Sequence, residues 1–201
     1  MAVTTAFSPD KIRQVVNAQG GFATTEKFSV MFTGRGIQGL DTGTLNNLMF
    51  LTENVAIPTK SIAASDKLIY GLNYQMPYRQ TFAEVAMNFY CTNNMDEKKF
   101  FDKWQRKIVD PLTGDLKFHE NYVCDVQIIK YTRDATDQFP GDSAYSITLL
   151  DAWPSIVAEI QLSHGSGSEV ARLPVTFQYR KWRYGLAGGF GGNSSDNEVD
   201  D

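Results

Sequence analysis

Residues 94–114 constrain the fold of this chain more than any other stretch. Their sequence, NMDEKKFFDKWQRKIVDPLTG, is the one strongly helical segment in the chain. Elsewhere apolar and polar residues mostly alternate, as they do in β-strands. Acidic residues lie in its first turn and Arg106 and Lys107 in its last, which is the order that the helix dipole favours. We expect Asn93 or Asn94 to cap the helix.

The predicted helix has one strongly apolar face. Phe100, Trp104 and Ile108 recur at i, i+4 and i+8, and Phe101 lies beside them. A face of this kind must be buried against another element. Because a lone helix cannot bury it on itself, we expect the helix to pack on a sheet formed by the rest of the chain.

The remaining chain predicts about eight strands. Apolar and polar residues alternate with the period of two that is typical of half-buried strands. The predicted strands cover residues 27–33, 48–57, 67–78, 82–91, 123–132, 143–151, 155–163 and 169–182. We expect a break at Ala152-Trp153-Pro154 and a turn at residues 137–142. The fold class is therefore mainly β (α+β), an antiparallel sheet or β-sandwich-like barrel with one flanking α-helix.

The chain divides into three regions. Residues 1–24 form a polar, Thr-rich N-terminal arm in which Pro9 can begin a short helix that ends before Gly20. Residues 25–184 form the β domain. Residues 185–201 form a tail of glycine, serine and acids, a composition that cannot bury enough surface to order itself.

A glycine-rich stretch follows the first predicted strand. Gly34 to Gly39 read GRGIQG and match the G-x-G-x-x-G fingerprint of dinucleotide-binding proteins. Such a site needs a helix directly after the motif to receive the pyrophosphate. Residues 40–44, LDTGT, have the composition of a loop, so we interpret residues 34–47 as a flexible glycine loop.

Charge and motif content argue against several functions. The net charge is −4, and four of the acids lie in the last six residues, so the rest of the chain balances nineteen basic against nineteen acidic residues. This balance gives no case for a nucleic-acid-binding surface. His119 and His164 lack metal-ligand spacing, and no catalytic motif occurs. We predict no enzyme activity, cofactor or metal, and two free thiols at Cys91 and Cys124.

Location is predicted from what the sequence lacks. No apolar run approaches the roughly 20 residues that a membrane-crossing helix needs. The first residues, MAVTTAFSPDK, have neither the basic start nor the apolar centre of a signal peptide. We therefore expect a protein that is made and used from the cytoplasm.

Several short motifs in a fixed order resemble one protein family. They are Phe28-Ser-Val-Met-Phe32, Ile57-Pro58, Phe101-x-x-Trp104-x-x-x-Ile108, Asp110-Pro111-Leu-Thr-Gly114, Ala152-Trp153-Pro154, and Leu173-x-Val175-Thr-Phe177-x-Tyr179. Together, over residues 28–184, they resemble the tail tube proteins of contractile-tailed, T-even-like bacteriophages.

The resemblance implies a structural protein without an active site. Six subunits would form a ring whose sheets close into one β-barrel, and rings would stack into a tube inside a contractile sheath on a baseplate. Viral DNA would pass through the lumen without specific binding, and the protein would reside in the virion tail after assembly in the host cytoplasm. The helix face at Phe100, Phe101, Trp104 and Ile108 would pack on the sheet outside the barrel.

Two finer expectations follow from this resemblance. We predict a neutral to acidic lumen lined by residues 66–79 and 81–92, because added basic contacts would slow DNA release. The loop at Gly34, Gly36, Gly39 and Leu40 is the candidate contact between stacked rings, since insertions of this kind often carry function.

Other readings remain open. Within the same class, the chain could be a tube-like ring protein of the baseplate or the inner tube of a contractile injection system. From a different class, it could be a β-sandwich module that binds carbohydrate or nucleic acid. An enzyme is the third alternative, without a candidate constellation of residues.

Overall fold

The structure is a computed structural model that describes residues 9–69, 71–133, 143–165 and 169–185. The predicted turn at 137–142, the first eight residues of the arm and the tail after Gly185 lie outside the described residues. The α-helices are α1 (Pro9–Ala18), α2 (Thr42–Leu51) and α3 (Asp96–Ile108), with a 3-10 turn at His119–Asn121. The strands are β1 (Phe28–Thr33), β2 (Thr52–Val55), β3 (Lys60–Ile69), β4 (Leu72–Phe82), β5 (Val85–Tyr90), β6 (Cys124–Tyr131), β7 (Ser143–Val157), β8 (Arg172–Gln178) and β9 (Lys181–Tyr184).

Most strands form one seven-stranded antiparallel sheet. Its order is β1-β6-β7-β8-β5-β2, with β9 also paired to β7. The strands β3 and β4 form a separate two-stranded antiparallel sheet. The predicted class, mainly β with antiparallel pairing and few helices, is confirmed.

The longest strand, β7, joins the two halves of the main sheet. Its first part pairs with β6 and its last part with β8. The predicted break at Ala152-Trp153-Pro154 is wrong, because the chain stays in the sheet and changes direction at Asp151, whose φ is 55°. The strand predicted at 155–163 is wrong as a separate strand, since its first residues complete β7 at Val157.

The last predicted strand, 169–182, is interrupted opposite that bend. It begins at Arg172 and is split into β8 and β9, which follow β7 in one register, with Gln178 opposite Trp153 and Lys181 opposite Leu150. Arg180 lies in this gap, where its N–H still donates to the Leu150 carbonyl of β7 at 3.0 Å and its Nε lies 2.7 Å from the Asp151 carboxylate. The bend in one strand therefore accounts for the gap in its neighbour.

Alternate residues of the strands form the core, and α3 completes it. Trp104 and Phe101 are fully buried, and Phe100 and Ile108 nearly so. Ring centroids of Phe101 and Phe89 lie 5.2 Å apart. The Trp104 ring lies 6.1 Å from Phe177 and 6.2 Å from Phe32. The strand residues in this core are Val30, Phe32, Val85, Met87, Phe89, Cys124, Val126, Ile128, Ile147, Leu149, Ala152, Leu173, Val175 and Phe177.

The start of α3 differs from the prediction. Neither Asn93 nor Asn94 caps it, because Met95 takes the N-cap position in a left-handed conformation, without a side-chain cap. Instead, the buried carboxylate of Glu97 accepts hydrogen bonds from the Thr92 N–H at 2.9 Å and the Thr92 hydroxyl at 3.0 Å. An acid in the first turn therefore ties the preceding chain to the helix, as in one half of a capping box.

The region after the glycine loop was predicted incorrectly. Residues 42–51 form α2, where a loop and the start of a strand were expected, and β2 occupies only Thr52–Val55. Asp41 is the N-cap and accepts hydrogen bonds from the Thr44 hydroxyl and N–H. These bonds, the hydroxyl first, hold the pKa of Asp41 below its ordinary value. The loop-like LDTGT sequence is therefore a capped helix start.

The strand predicted at 67–78 is also wrong. The chain reverses at Gly71, whose φ of 85° suits glycine, so β3 and β4 form a hairpin and not one strand. The expected lumen strand at 66–79 therefore spans this reversal. Pro77 lies opposite Ala64, next to a register shift between Ala63 and Ala64, where an irregular ladder tolerates proline.

Candidate assembly surfaces

The β3–β4 hairpin is exposed on both of its faces. Residues 60–67, which point alternately to the two sides, are all exposed, and so are most residues of β4. Ile62, Tyr74 and Tyr78 are the large apolar or aromatic side chains among them. A two-stranded hairpin is at best marginally stable in water without another surface to pack against. Packing against another surface would stabilise this hairpin.

The main sheet also ends in two open edges. Within the described residues, β1 pairs only with β6 and β2 pairs only with β5, so each has one unpaired side. Unpaired edges offer backbone donors and acceptors to another chain. Neighbouring copies could extend the sheet at either edge.

The candidate ring-stacking loop is fastened to its own subunit. Gly36 is buried, and its N–H donates to the Val123 carbonyl at 3.0 Å. A Cβ on Gly36 would lie 2.4 Å from the Tyr122 carbonyl, and one on Gly34 3.0 Å from the Cα of Cys124. The Lys107 ammonium donates to the carbonyls of Gly36 and Gln38.

The other predicted residues of this loop lie farther out. Leu40 packs against the core, while Gly39 is exposed, with a φ of 78°. The exposed residues that the loop offers to another ring are Gly34 and Arg35 at its start and Gln38 and Gly39 at its tip. Its role in stacking stays a prediction.

The motif after α3 forms a tight turn. The Asp110 carboxylate accepts from the Leu112 N–H at 2.9 Å, and the Gly114 N–H donates to the Asp110 carbonyl at 2.8 Å. Pro111 lies within this turn, and Gly114 has a φ of 74°. The residues of the motif thus hold a turn at the end of the helix.

The remaining motif residues lie in or near the core. Val175 and Phe177 are fully buried, and Pro154 is buried on β7. Trp153 is half-buried and contacts the Tyr122 ring edge-on, at 6.4 Å between centroids. Tyr179 is half-buried, and its burial raises the pKa of its phenol.

A family profile described as "Phage tail tube protein" matches residues 23–185. The chain belongs to the phage tail tube protein family. It is a structural tube subunit, as the resemblance of its motifs predicted. The family is one of structural proteins, and the matched range includes every element from β1 to β9.

Chains in several solved structures share this fold. The anti-feeding prophage baseplate matches with a TM-score of 0.58 and 12% identity, covering 81% of this chain and 95% of that one. An extended sheath-tube complex of the extracellular contractile injection system PVC matches at 0.57 and 11%, covering 90% and 100%. The sheath/tube terminator of PVC matches at 0.58 and 12%, covering 82% and 97%. A search of curated protein sequences returned no match.

The tube subunit offers no grouping of metal ligands in the described residues, where no three His, Cys, Asp or Glu side chains converge. Cys124 is buried and Cys91 half-buried, and both are free thiols. Burial raises the pKa of both thiols, and that of Cys124 lies far above the ordinary value. Such thiols are poor nucleophiles because they stay protonated. No helix in the described part is long and apolar enough to span a membrane.

The hairpin is the surface that the sequence did not reveal. Its two strands were merged or missed because Gly71 lies between Tyr70 and Leu72, an apolar context that imitates a continuous strand. The signal that could have found it is Gly71 itself, since a lone glycine within a strand pattern often marks a bend.

Proposed function

We propose that this protein is the main subunit of a phage tail tube and polymerises as stacked rings of six. The exposed hairpin is the observation that carries the proposal. Phe82 at its base contacts Tyr179, but Ile62, Tyr74 and Tyr78 stay exposed, and within the described residues β3 and β4 pair only with each other. Packing against a neighbouring subunit would bury its faces and complete its ladder.

Ring closure also explains the open edges of the main sheet. If the sheets of six subunits join, β1, β2 and the hairpin gain partners, and one β-barrel surrounds a lumen. The isolated subunit is then the less stable form, and closure is the stabilising event. Residues 25–184 would form this assembling domain, with the arm 1–24 and the tail 185–201 outside it.

The surroundings of the tube follow from the same proposal. The similar PVC protein is part of a sheath-tube complex, and another similar protein is part of a baseplate. We propose that the stacked rings contact a contractile sheath and begin on a baseplate, and that the tube resides in the virion tail after assembly in the host cytoplasm. The tip at Gln38 and Gly39 is a candidate contact between rings.

The lumen would conduct viral DNA without specific binding. The hairpin carries Lys60, Lys67 and Arg79 against Asp66, so a bore lined by the hairpin alone would be basic, which counts against the predicted neutral to acidic lumen. We expect assembled tubes to release double-stranded DNA at about 0.15 M salt, where few phosphate contacts give little affinity. Co-sedimentation of DNA with tubes over a salt series checks this, and DNA retained at that salt would contradict passive conduction.

Removing the hairpin tests the assembly proposal. In the variant, a short Gly-Ser linker replaces residues 62–80. Because the hairpin pairs only with itself, we expect the subunit to keep its fold, with near-wild-type circular dichroism and thermal unfolding. Rings and tubes should be absent by negative-stain electron microscopy, whereas the full chain forms hollow tubes of uniform width.

A single substitution in the turn is the matched control. In Gly71→Asn, the new residue tolerates the left-handed conformation of Gly71, so the hairpin should be preserved and the variant should form tubes. If the hairpin deletion assembles as well as the full chain, the hairpin is not the closing element. If the full chain stays a monomer at high concentration and on added baseplate, the proposal that it polymerises as stacked rings of six fails.

A further inference from the structure

The turn after α3 presents three highly exposed apolar side chains. Leu112 is 95% exposed, Phe118 84% and Leu116 73%. We call these three residues the knob. Single exposed apolar residues are ordinary, but several large ones within seven residues indicate an interaction site.

The backbone beneath the knob is well ordered by hydrogen bonds. Val109 and Leu116 form an isolated antiparallel bridge. The Lys117 N–H donates to the Ile108 carbonyl at 3.0 Å, and the Asp110 N–H to the Asp115 carbonyl at 3.0 Å. A surface held in this way loses little conformational entropy when it binds.

An apolar groove lies elsewhere on the same subunit, between β2 and the beginnings of β1 and β7. It has a volume of about 510 Å³. Its apolar lining comes from Phe28, Val55, Ile57, Ile128, Tyr145 and Ile147. Ile57 is exposed at its rim, so the groove is open to a side chain from outside.

The knob and the groove lie at opposite ends of β6. The knob precedes the 3-10 turn that leads into Cys124, the first residue of β6. Ile128 and Lys130, in the second half of β6, line the groove. At the rise of a β-strand, Ile128 and Lys130 lie roughly 13 and 20 Å along the strand from Cys124. The two surfaces are therefore separate on one subunit.

Their charges are complementary. The knob segment, residues 109–120, carries Asp110, Asp115 and Glu120 against Lys117. At the groove, the Lys130 ammonium donates to the backbone carbonyls of Lys27 and Tyr131. Lys130 and Glu53 are the charged residues that line the groove, and the Glu53 carboxylate is paired with Arg172 at 2.8 Å, so Lys130 is the charge that the groove presents to an acidic partner. Such an arrangement favours approach of the knob end to the groove end.

We propose that the knob of one subunit docks in the groove of a second copy and so joins subunits head to tail. A knob and a groove on opposite ends of one chain make a heterologous contact, which generates rings or filaments. Leu112 is the central anchor because it is the most exposed of the three. The inference rests on the proposed tube function and names a specific self-contact within it.

The first test removes the apolar knob. The double variant Leu112→Ser/Phe118→Ser should fold with an unchanged thermal unfolding midpoint, because both side chains face solvent in the subunit. The protein concentration at which half of the material sediments as assemblies should rise by about tenfold or more, the loss expected for central anchors. Leu162→Ser is the matched control, since Leu162 is equally exposed but lies outside both surfaces, and it should assemble like the wild type.

The second test uses the two surfaces separately. Ile57→Asp puts a charge on the rim of the groove and should also prevent assembly. A one-to-one mixture of Ile57→Asp with the knob variant retains one intact knob and one intact groove. At protein concentrations too low for either variant to assemble alone, we expect this mixture to form a heterodimer by analytical ultracentrifugation, while each separate variant is monomeric.

The outcomes separate this contact from the tube proposal. Wild-type tubes together with normal assembly of the knob variant would overturn the knob–groove contact and leave the tube function intact. Normal tubes that no longer bind a sheath would assign the knob to a sheath protein and also overturn the self-contact. A wild-type protein that never assembles would contradict the proposed function itself.

Discussion

Replacing Gly36 with alanine is expected to destabilise the subunit severely. The new Cβ would lie 2.4 Å from the carbon and oxygen of the Tyr122 carbonyl and 2.5 Å from the Val123 carbonyl. All three atoms are backbone, so no side chain can rotate away to relieve the overlap. The loop must therefore move away from this backbone, and the 3.0 Å hydrogen bond from the Gly36 N–H to the Val123 carbonyl is then lost.

The expected loss in the free energy of unfolding is about 3 kcal/mol, the sum of an overpacking cost and a hydrogen bond. For a domain of this size, that corresponds to a fall of about 6–12 °C in the thermal midpoint. The measurement is thermal and urea unfolding of the unassembled hairpin-deleted subunit, so that ring formation does not mask the effect. A thermal unfolding midpoint within about 2 °C of the parent's, which is on the order of the measurement error, would contradict the close packing of Gly36 against the backbone of Tyr122 and Val123.

Gly43 provides the matched control for this substitution. It lies in the first turn of α2, and the nearest atoms to its added Cβ are the Asp41 carboxylate oxygens at 3.7 and 3.8 Å. Alanine there meets no overlap and improves helix propensity, so Gly43→Ala should raise the free energy of unfolding by about 0.5–1 kcal/mol. Opposite signs for two glycine-to-alanine changes, seven residues apart, would show that space and not glycine content decides the outcome.

The part of the fold that could be predicted depends on local periodicity. α3 was found because its apolar face and its charge order agree over thirteen residues. β1, β5 and β6 were found because their buried and exposed residues alternate or form short apolar runs. In these elements the local pattern and the tertiary environment favour the same structure.

The errors occur where a few residues determine the chain direction. α2 has little amphipathic character, and its start depends on the cap at Asp41, which resembles a loop in sequence. The bend in β7 depends on the left-handed conformation of Asp151, for which the sequence contains no local signal. The split between β8 and β9 is a consequence of that bend in a neighbouring strand. Such features are set by tertiary contacts, which single-sequence periodicity does not contain.

The assembly surfaces were less predictable than the family. The motifs around Trp104, Asp110 and Phe177 identify the family because they maintain the subunit core and its turns. The residues of the groove lie far apart in sequence, so only the folded subunit brings them together. The knob residues lie close together in sequence, but only the structure shows that all three are exposed. A surface built for a neighbouring copy leaves little trace in the periodicity of one chain.

Trp104→Ala is the second large prediction. The indole is fully buried among Phe101, Phe177 and Phe32, and its Nε1 donates to the Tyr122 carbonyl at 2.8 Å. Truncation removes these contacts, leaves a cavity and deprives a carbonyl of its donor, so we expect a loss of about 4 kcal/mol or more in the free energy of unfolding. Urea unfolding of the hairpin-deleted subunit measures it, with Phe50→Ala as the control because Phe50 is exposed on α2.

Trp104→Phe separates the hydrogen bond from the packing. Phenylalanine keeps an aromatic ring in the core but cannot donate to Tyr122, so the loss should be about 1–2 kcal/mol. Gly36→Ala acts on the same carbonyl, because its added Cβ displaces the Tyr122 backbone that accepts from Trp104. Once that backbone has moved, removing the indole donor costs little more.

The double variant Gly36→Ala/Trp104→Phe should therefore lose less than the sum of the two single changes, by about 0.5 kcal/mol or more. Simple additivity would mean that the glycine loop and α3 are held by separate contacts. A loss in the double variant that is smaller than this sum would show that Tyr122 connects the glycine loop to α3. The glycine loop, α3 and the start of β6 would then form one cooperative unit, and the knob lies between α3 and β6 in the chain.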